Sequence, residues 1–249
     1  CIYNGYDAAD FSRVESVSIS DSSNGLKACV PLSEEATPSS NRMLRIAYVG
    51  TLWNLTSIEP IVSAIEKLAA EDSHKTQRIE LVVAGRRTGA QDEILDRLES
   101  LPCRLIREGY VEHRRAIEIM NQADVQCLLL SDVPEAGRVV PAKTFEYLAL
   151  GRKILYVGPD GEVGEILSGF PQAESFLPKD ADRIADYLSR QLDDLANDAA
   201  PVKTASATRF ERRSLTRQLA ELLDQTCGAG STLSPVNKNA GCEVAGATA

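Results

Sequence analysis

From residue 44 onward the chain alternates between two hydrophobic periods. Runs that are apolar at nearly every position, 44–49 (LRIAYV), 79–84 (IELVVA), 103–106, 125–130 and 153–157, read as strands covered on both faces. Between them, apolar residues recur every third or fourth position, which predicts amphipathic helices over 57–70, 90–101, 114–122, 142–150, 163–167 and 181–195. In the first of these the stripe is Ile58, Ile61, Val62, Ile65, Leu68 and Ala69. A short strand is predicted near Phe176, and a last helix over 212–223 carries Leu215, Leu219, Leu222 and Leu223 on one side. Buried strands alternating with helices make a parallel sheet, and right-handed crossovers make it one doubly wound α/β domain.

The flanks lack this periodicity. Residues 12–42 are rich in Ser, Asn, Glu and Pro and read as a linker or irregular insertion, and 197–208 as a second linker. Residues 228–249, rich in Gly, Ala, Ser, Thr and Asn, are expected to be disordered. The expected division is an interdomain-type segment over 1–42, a Rossmann-like domain over 43–225 with a terminal helix, and a tail over 226–249. At 249 residues the chain buries about three quarters of its unfolded surface, so it needs no disulfide or metal staple.

Charge and cysteine usage narrow the class. A net charge of −9, from 27 basic and 36 acidic residues, argues against a nucleic-acid partner. No apolar run nears the roughly 20 residues of a bilayer span, and no basic-then-apolar leader is present. The six cysteines (1, 29, 103, 127, 227 and 242) form no C-x-x-C pair, which fits free thiols in a reducing cytoplasm, with Cys127 a small buried hydrophobe. Residue 1 is Cys, so the chain is expected to begin inside a longer protein.

In an open parallel sheet, ligands bind beyond the carboxyl ends of the strands. Four segments fall there: Gly50-Thr51-Leu52, Gly85-Arg86-Arg87, Gly109-Tyr110-Val111 and 137–146. Each glycine permits close approach of a ligand, or simply makes a tight turn; the residues alone leave both readings open. Neither G-x-G-x-x-G nor G-x-x-x-x-G-K-[ST] occurs. The stretch 139–155, VVPAKTFEYLALGRKIL, carries most information. Pro141 suits the first turn of a helix and Gly151 its end. Lys143 and Glu146 share a side of the first turns, where a carboxylate can accept bonds from a ribose diol and an ammonium can hold a diphosphate. The alternative is an ordinary surface ion pair.

Residues 141–155 resemble the donor-site signature of retaining GT-B glycosyltransferases (glycosyl transferases group 1, family 4-like), P-x-K-x-F-E-Y-L-A-x-G-[KR]-x-I-L. Other landmarks follow in order. Ile2-Tyr3-Asn4-Gly5-Tyr6-Asp7 resembles the segment joining the two halves of such enzymes, and Ala47-Tyr48-Val49-Gly50-Thr51 the first donor-domain strand and its phosphate-side loop. Leu81-Val82-Val83-Ala84-Gly85 resembles the second strand, Gly109-Tyr110-Val111 the loop framing the nucleobase, and Asn121-Gln122-Ala123-Asp124 the helix end before the fourth strand. The resemblance covers about residues 1–225 and implies the C-terminal, donor-binding domain of a hexosyltransferase-type enzyme.

By that resemblance Glu146 binds the ribose hydroxyls and Lys143 the diphosphate of a UDP- or GDP-sugar. Gly50 and Thr51 run along the phosphates and sugar, and Tyr110 and Val111 hold the base. Relatives often carry Arg where Thr51 stands, Lys a few residues on, and a second Glu where Arg138 stands, so the phosphate clamp falls to Arg138, Lys143 or Arg86. Arg86 and Arg87 read equally as a solvated loop pair. No metal or cofactor is implied, and the Asp180-Ala181-Asp182 triplet fits helix capping. Of the two histidines, His74 reads as exposed; His113, just past the Gly109 loop, could cap a helix or approach the base, and a capping or surface role is favoured.

The resemblance places the acceptor, and much of the catalysis, in an N-terminal domain preceding Cys1. It predicts a cytoplasmic enzyme of polysaccharide biosynthesis that is inactive as this chain alone, and it is compatible with peripheral membrane association of the full-length protein. Catalytic residues are not assigned. Two alternatives are a sugar-nucleotide epimerase of the same fold and a non-catalytic nucleotide-binding module.

Overall fold

The computed structural model describes residues 2–11, 42–196 and 206–227. Residues 228–249 of the expected tail, 12–41 of the first expected linker and 197–205 of the second lie outside the described residues. Six strands, β1 (Leu44–Val49), β2 (Ile79–Ala84), β3 (Arg104–Glu108), β4 (Val125–Leu129), β5 (Lys153–Val157) and β6 (Ala173–Phe176), form one sheet in the order β3-β2-β1-β4-β5-β6. Every neighbouring pair is parallel. The order reverses at β1 and β4, the switch point where this topology opens a crevice beyond the strand ends.

The strands are apolar throughout because both faces are covered. One face carries Ile46, Tyr48, Leu81, Val83, Cys127 and Leu155 against α2 (Glu59–Glu71), α4 (Gly89–Asp96) and α8 (Ala181–Ala196). The other carries Ala47, Val49, Val82, Leu128 and Tyr156 against α5 (His113–Gln122), α6 (Lys143–Leu150) and α7 (Glu162–Leu167). Glu80, a charge inside β2, is buried but held by Arg45 at 3.3 Å and Arg104 at 3.0 Å, so its burial does not leave it unpaired. Cys127 is fully buried, and desolvation pushes its thiol up to about 12.

Two local departures from the expected elements have clear causes. The helix expected over 90–101 is α4 followed by a tighter 3₁₀ turn, Arg97–Ser100, before the chain turns extended at Leu101. The polar run after α2 contains a short α3 (Ser73–Thr76), nucleated when the Asp72 side chain accepts the Lys75 amide.

The N-terminal segment, which includes α1 (Ala8–Phe11), docks on the α6 face. Its Tyr6 amide donates to the Phe210 carbonyl (3.1 Å), and its Tyr6 carbonyl accepts the Arg212 amide (2.9 Å). Tyr3, Phe145 and Phe210 stack there, with Phe145 and Phe210 centroids 5.0 Å apart. Beyond lies α9 (Arg212–Cys227), where Leu215 is buried while Leu219, Leu222 and Leu223 are 47%, 49% and 53% exposed. The outer part of α9 thus stands clear of the core.

Candidate functional site

Glycines end the first two strands, and their backbones knit the carboxyl edge. The Gly50 amide donates to Ala84 (2.9 Å) and the Gly85 amide to Gly109 (3.0 Å). Leu52 donates to Arg86 and Thr88 donates back to Leu52, locking the β1 and β2 loops together. Arg87 lies beneath this junction: its guanidinium donates to the Gly85 and Glu108 carbonyls and to Asp92. It is a structural staple, while its neighbour Arg86 is exposed and stacks over the Tyr110 ring at 5.5 Å. Two adjacent arginines therefore stand in different surroundings, Arg87 bound to backbone carbonyls and Arg86 exposed.

The edge encloses a cavity of about 460 Å³ lined by Val49, Gly50, Thr51, Ala84, Gly85, Arg86, Tyr110, Val111, His113, Ala116 and Lys143. The Thr51 carbonyl is fixed by hydroxyls of Tyr48 (2.9 Å) and Thr56 (2.6 Å). Burial raises the Tyr48 hydroxyl to about 12, so it is a permanent donor at neutral pH. At the opposite wall, α6 is seated by buried Phe145, Tyr147 and Leu148. Tyr147 is fully buried beneath the helix, and burial holds its hydroxyl's pKa well above the ordinary 10.0. The helix ends at Gly151, in the left-handed conformation at φ 64°.

Six of the eight expected residues line this cavity: Gly50, Thr51, Arg86, Tyr110, Val111 and Lys143. Glu146 stands just behind, its carboxylate accepting the Lys143 ammonium at 2.7 Å with both side chains mostly covered. Arg138 lies apart from the lining, 85% exposed and paired with Glu135 at 3.0 Å. The sequence left His113 between a helix cap and an approach to the base and favoured the cap or surface; its ring is bonded to Asp10 at 3.1 Å, 103 positions away. The only sequence signal for it was its place two residues beyond Val111.

No carboxylate is among the lining residues, whereas Arg86, Lys143 and His113 are. The lining thus combines basic side chains with an apolar patch of Val49, Ala84 and Val111, and two of the basic groups, Lys143 and His113, already face carboxylates. Among the described residues no group of three or more His, Cys, Asp or Glu could hold a metal. Asp180 and Asp182 are engaged by Arg183 and Lys67. No helix among the described residues is long and apolar enough to cross a membrane.

No protein-family model matches the chain, and no curated protein matches it significantly. Solved structures do. HepE of Anabaena, in complex with UDP and glucose, superposes with a TM-score of 0.56 at 14% identity, covering 90% of this chain and 56% of that one. AviGT4, a glycosyltransferase of avilamycin A biosynthesis, gives 0.53 at 14% identity over 77% of this chain and 53% of that one. The α,α-trehalose-phosphate synthase of Burkholderia xenovorans, in complex with glucose-6-phosphate, gives 0.52 at 15% identity over 76% and 45%. The chain thus spans about half the length of each of these proteins. At such identities the likeness speaks to architecture alone: the chain has a Rossmann-like α/β fold shared with GT-B glycosyltransferases.

Proposed function

We propose that this chain is the donor-nucleotide-binding half of a retaining GT-B glycosyltransferase, taking a UDP- or GDP-sugar. The carrying observation is convergence: residues scattered over nearly a hundred positions, from Gly50 to Lys143, line one cavity at the switch-point edge of the sheet. Beside it stands the Lys143–Glu146 pair of the signature motif. The HepE structure holds UDP and glucose, and an E. coli trehalose-6-phosphate structure holds UDP-2-fluoro glucose, which supports a nucleoside diphosphate sugar as ligand.

In this reading Glu146 accepts bonds from the ribose diol, and ligand binding releases Lys143 toward the diphosphate. Arg86, Lys143 and the backbone at Gly50 and Thr51 stabilise the charge that grows on the departing diphosphate. The acceptor and the remaining catalytic groups come from a domain outside this chain. Calorimetric titration of UDP and of GDP tests it. Saturable single-site binding of at least one, with no sugar transfer by the chain alone, is expected; binding of neither contradicts the proposal.

A further inference from the structure

The N-terminal segment reaches the cavity wall through Asp10 and His113. The His113 Nε2 and the Asp10 carboxylate are 3.1 Å apart, and His113 lines the cavity beside Tyr110 and Val111. Asp10 is placed independently of this contact. Tyr6 anchors the segment through backbone bonds to Phe210 and Arg212, and Phe11 packs edge-on against Tyr6 at 5.8 Å. Both members of the pair are substantially exposed, 52% and 39%, so the contact contributes little to stability. Its physical consequence is orientation: the carboxylate facing Nε2 fixes the ring, whose Nδ1 has no partner among the described residues.

We propose that His113 contacts the nucleoside end of a nucleotide bound in this cavity, with Asp10 as its positioning residue. This rests on the donor-site reading and adds to it that the segment 2–11 takes part in recognition. The place of His113 decides which end. It follows Tyr110 and Val111, which take the base on the donor-site reading, whereas that reading gives the diphosphate to Lys143 and the Gly50 loop.

The two histidines make the test direct. His74 lies on α3; two residues past that helix the Arg78 carbonyl accepts the Leu44 amide at the amino end of β1, the end of the sheet opposite the site, so His74 serves as internal control. In carbon-detected imidazole spectra of the full chain, UDP is expected to shift the His113 signal saturably and leave His74 unmoved, while inorganic pyrophosphate moves neither. His113→Ala is expected to weaken UDP binding about three- to ten-fold and Asp10→Asn by a smaller factor, both with unchanged melting temperature. Binding of UDP that leaves His113 unmoved and survives His113→Ala overturns this inference alone. An equal response to pyrophosphate overturns the assignment to the nucleoside end. Failure of the unaltered chain to bind UDP or GDP removes the donor-site reading and this inference together.

Discussion

Gly50 and Gly85 meet backbone to backbone where β1 and β2 end: a Cβ on Gly85 would lie 1.9 Å from the Gly50 carbonyl oxygen. Gly85 also sits at φ +130°, a conformation that side chains oppose. Neither atom can yield, because both glycines are held by strand-end hydrogen bonds. Gly85→Ala is therefore expected to cost about 3 kcal/mol or more. Gly89, at the start of α4 with open space around it, is the control: Gly89→Ala should be neutral or stabilise by up to about 1 kcal/mol. Denaturant melts of the two variants check the contrast.

Arg86 and Arg87 should separate cleanly. Arg87→Met removes the donors that hold the Gly85 and Glu108 carbonyls and the Asp92 carboxylate, and should cost about 1–3 kcal/mol. Arg86→Met should leave the melting temperature unchanged and weaken UDP binding. The reverse pattern would mean that the roles assigned to the pair are exchanged.

Away from the site, Arg97 bridges Glu59 at 2.7 Å and Glu66 on α2. Burial raises the Glu59 carboxyl, but hydrogen bonds from Arg97 and Ser63 and the Arg97 charge outweigh it and hold the pKa below 4.5. A carboxyl lowered by folding adds stability above its unfolded pKa and loses it as pH falls through the folded value. Arg97→Met should thus cost about 1 kcal/mol or less at pH 7, a penalty that shrinks as the pH drops below about 4. A penalty independent of pH would mean that Arg97 acts through packing alone.

The alternation of buried strands and striped helices made the sheet legible in the sequence, because a strand covered on both faces is apolar at both of its phases. Gly50 and Thr51, as well as Tyr110 and Val111, were legible because topology sends every parallel strand end to the same edge. Contacts spanning the chain were not. The bonds from Tyr6 to Phe210 and Arg212, and from Asp10 to His113, join residues more than a hundred positions apart and leave no periodic trace. Arg138 could be read toward the phosphates only from its spacing to Glu146; its exposed turn beside Glu135 is set by the loop after β4.

The account turns on Glu146, and one comparison reaches it most directly: titration of UDP and GDP into the unaltered chain and into Glu146→Gln, with a melting curve for each. The substitution keeps the side chain's shape and replaces a charged acceptor with a neutral amide. Hydrogen bonds to charged groups contribute about 1.5–3 kcal/mol, so affinity should fall at least several-fold. Stability should barely change, because Phe145, Tyr147 and Leu148 seat α6. Equal affinities, with only a small loss of stability from the broken Lys143 pair, would show that Glu146 does not hold the ribose and contradict the donor-site account.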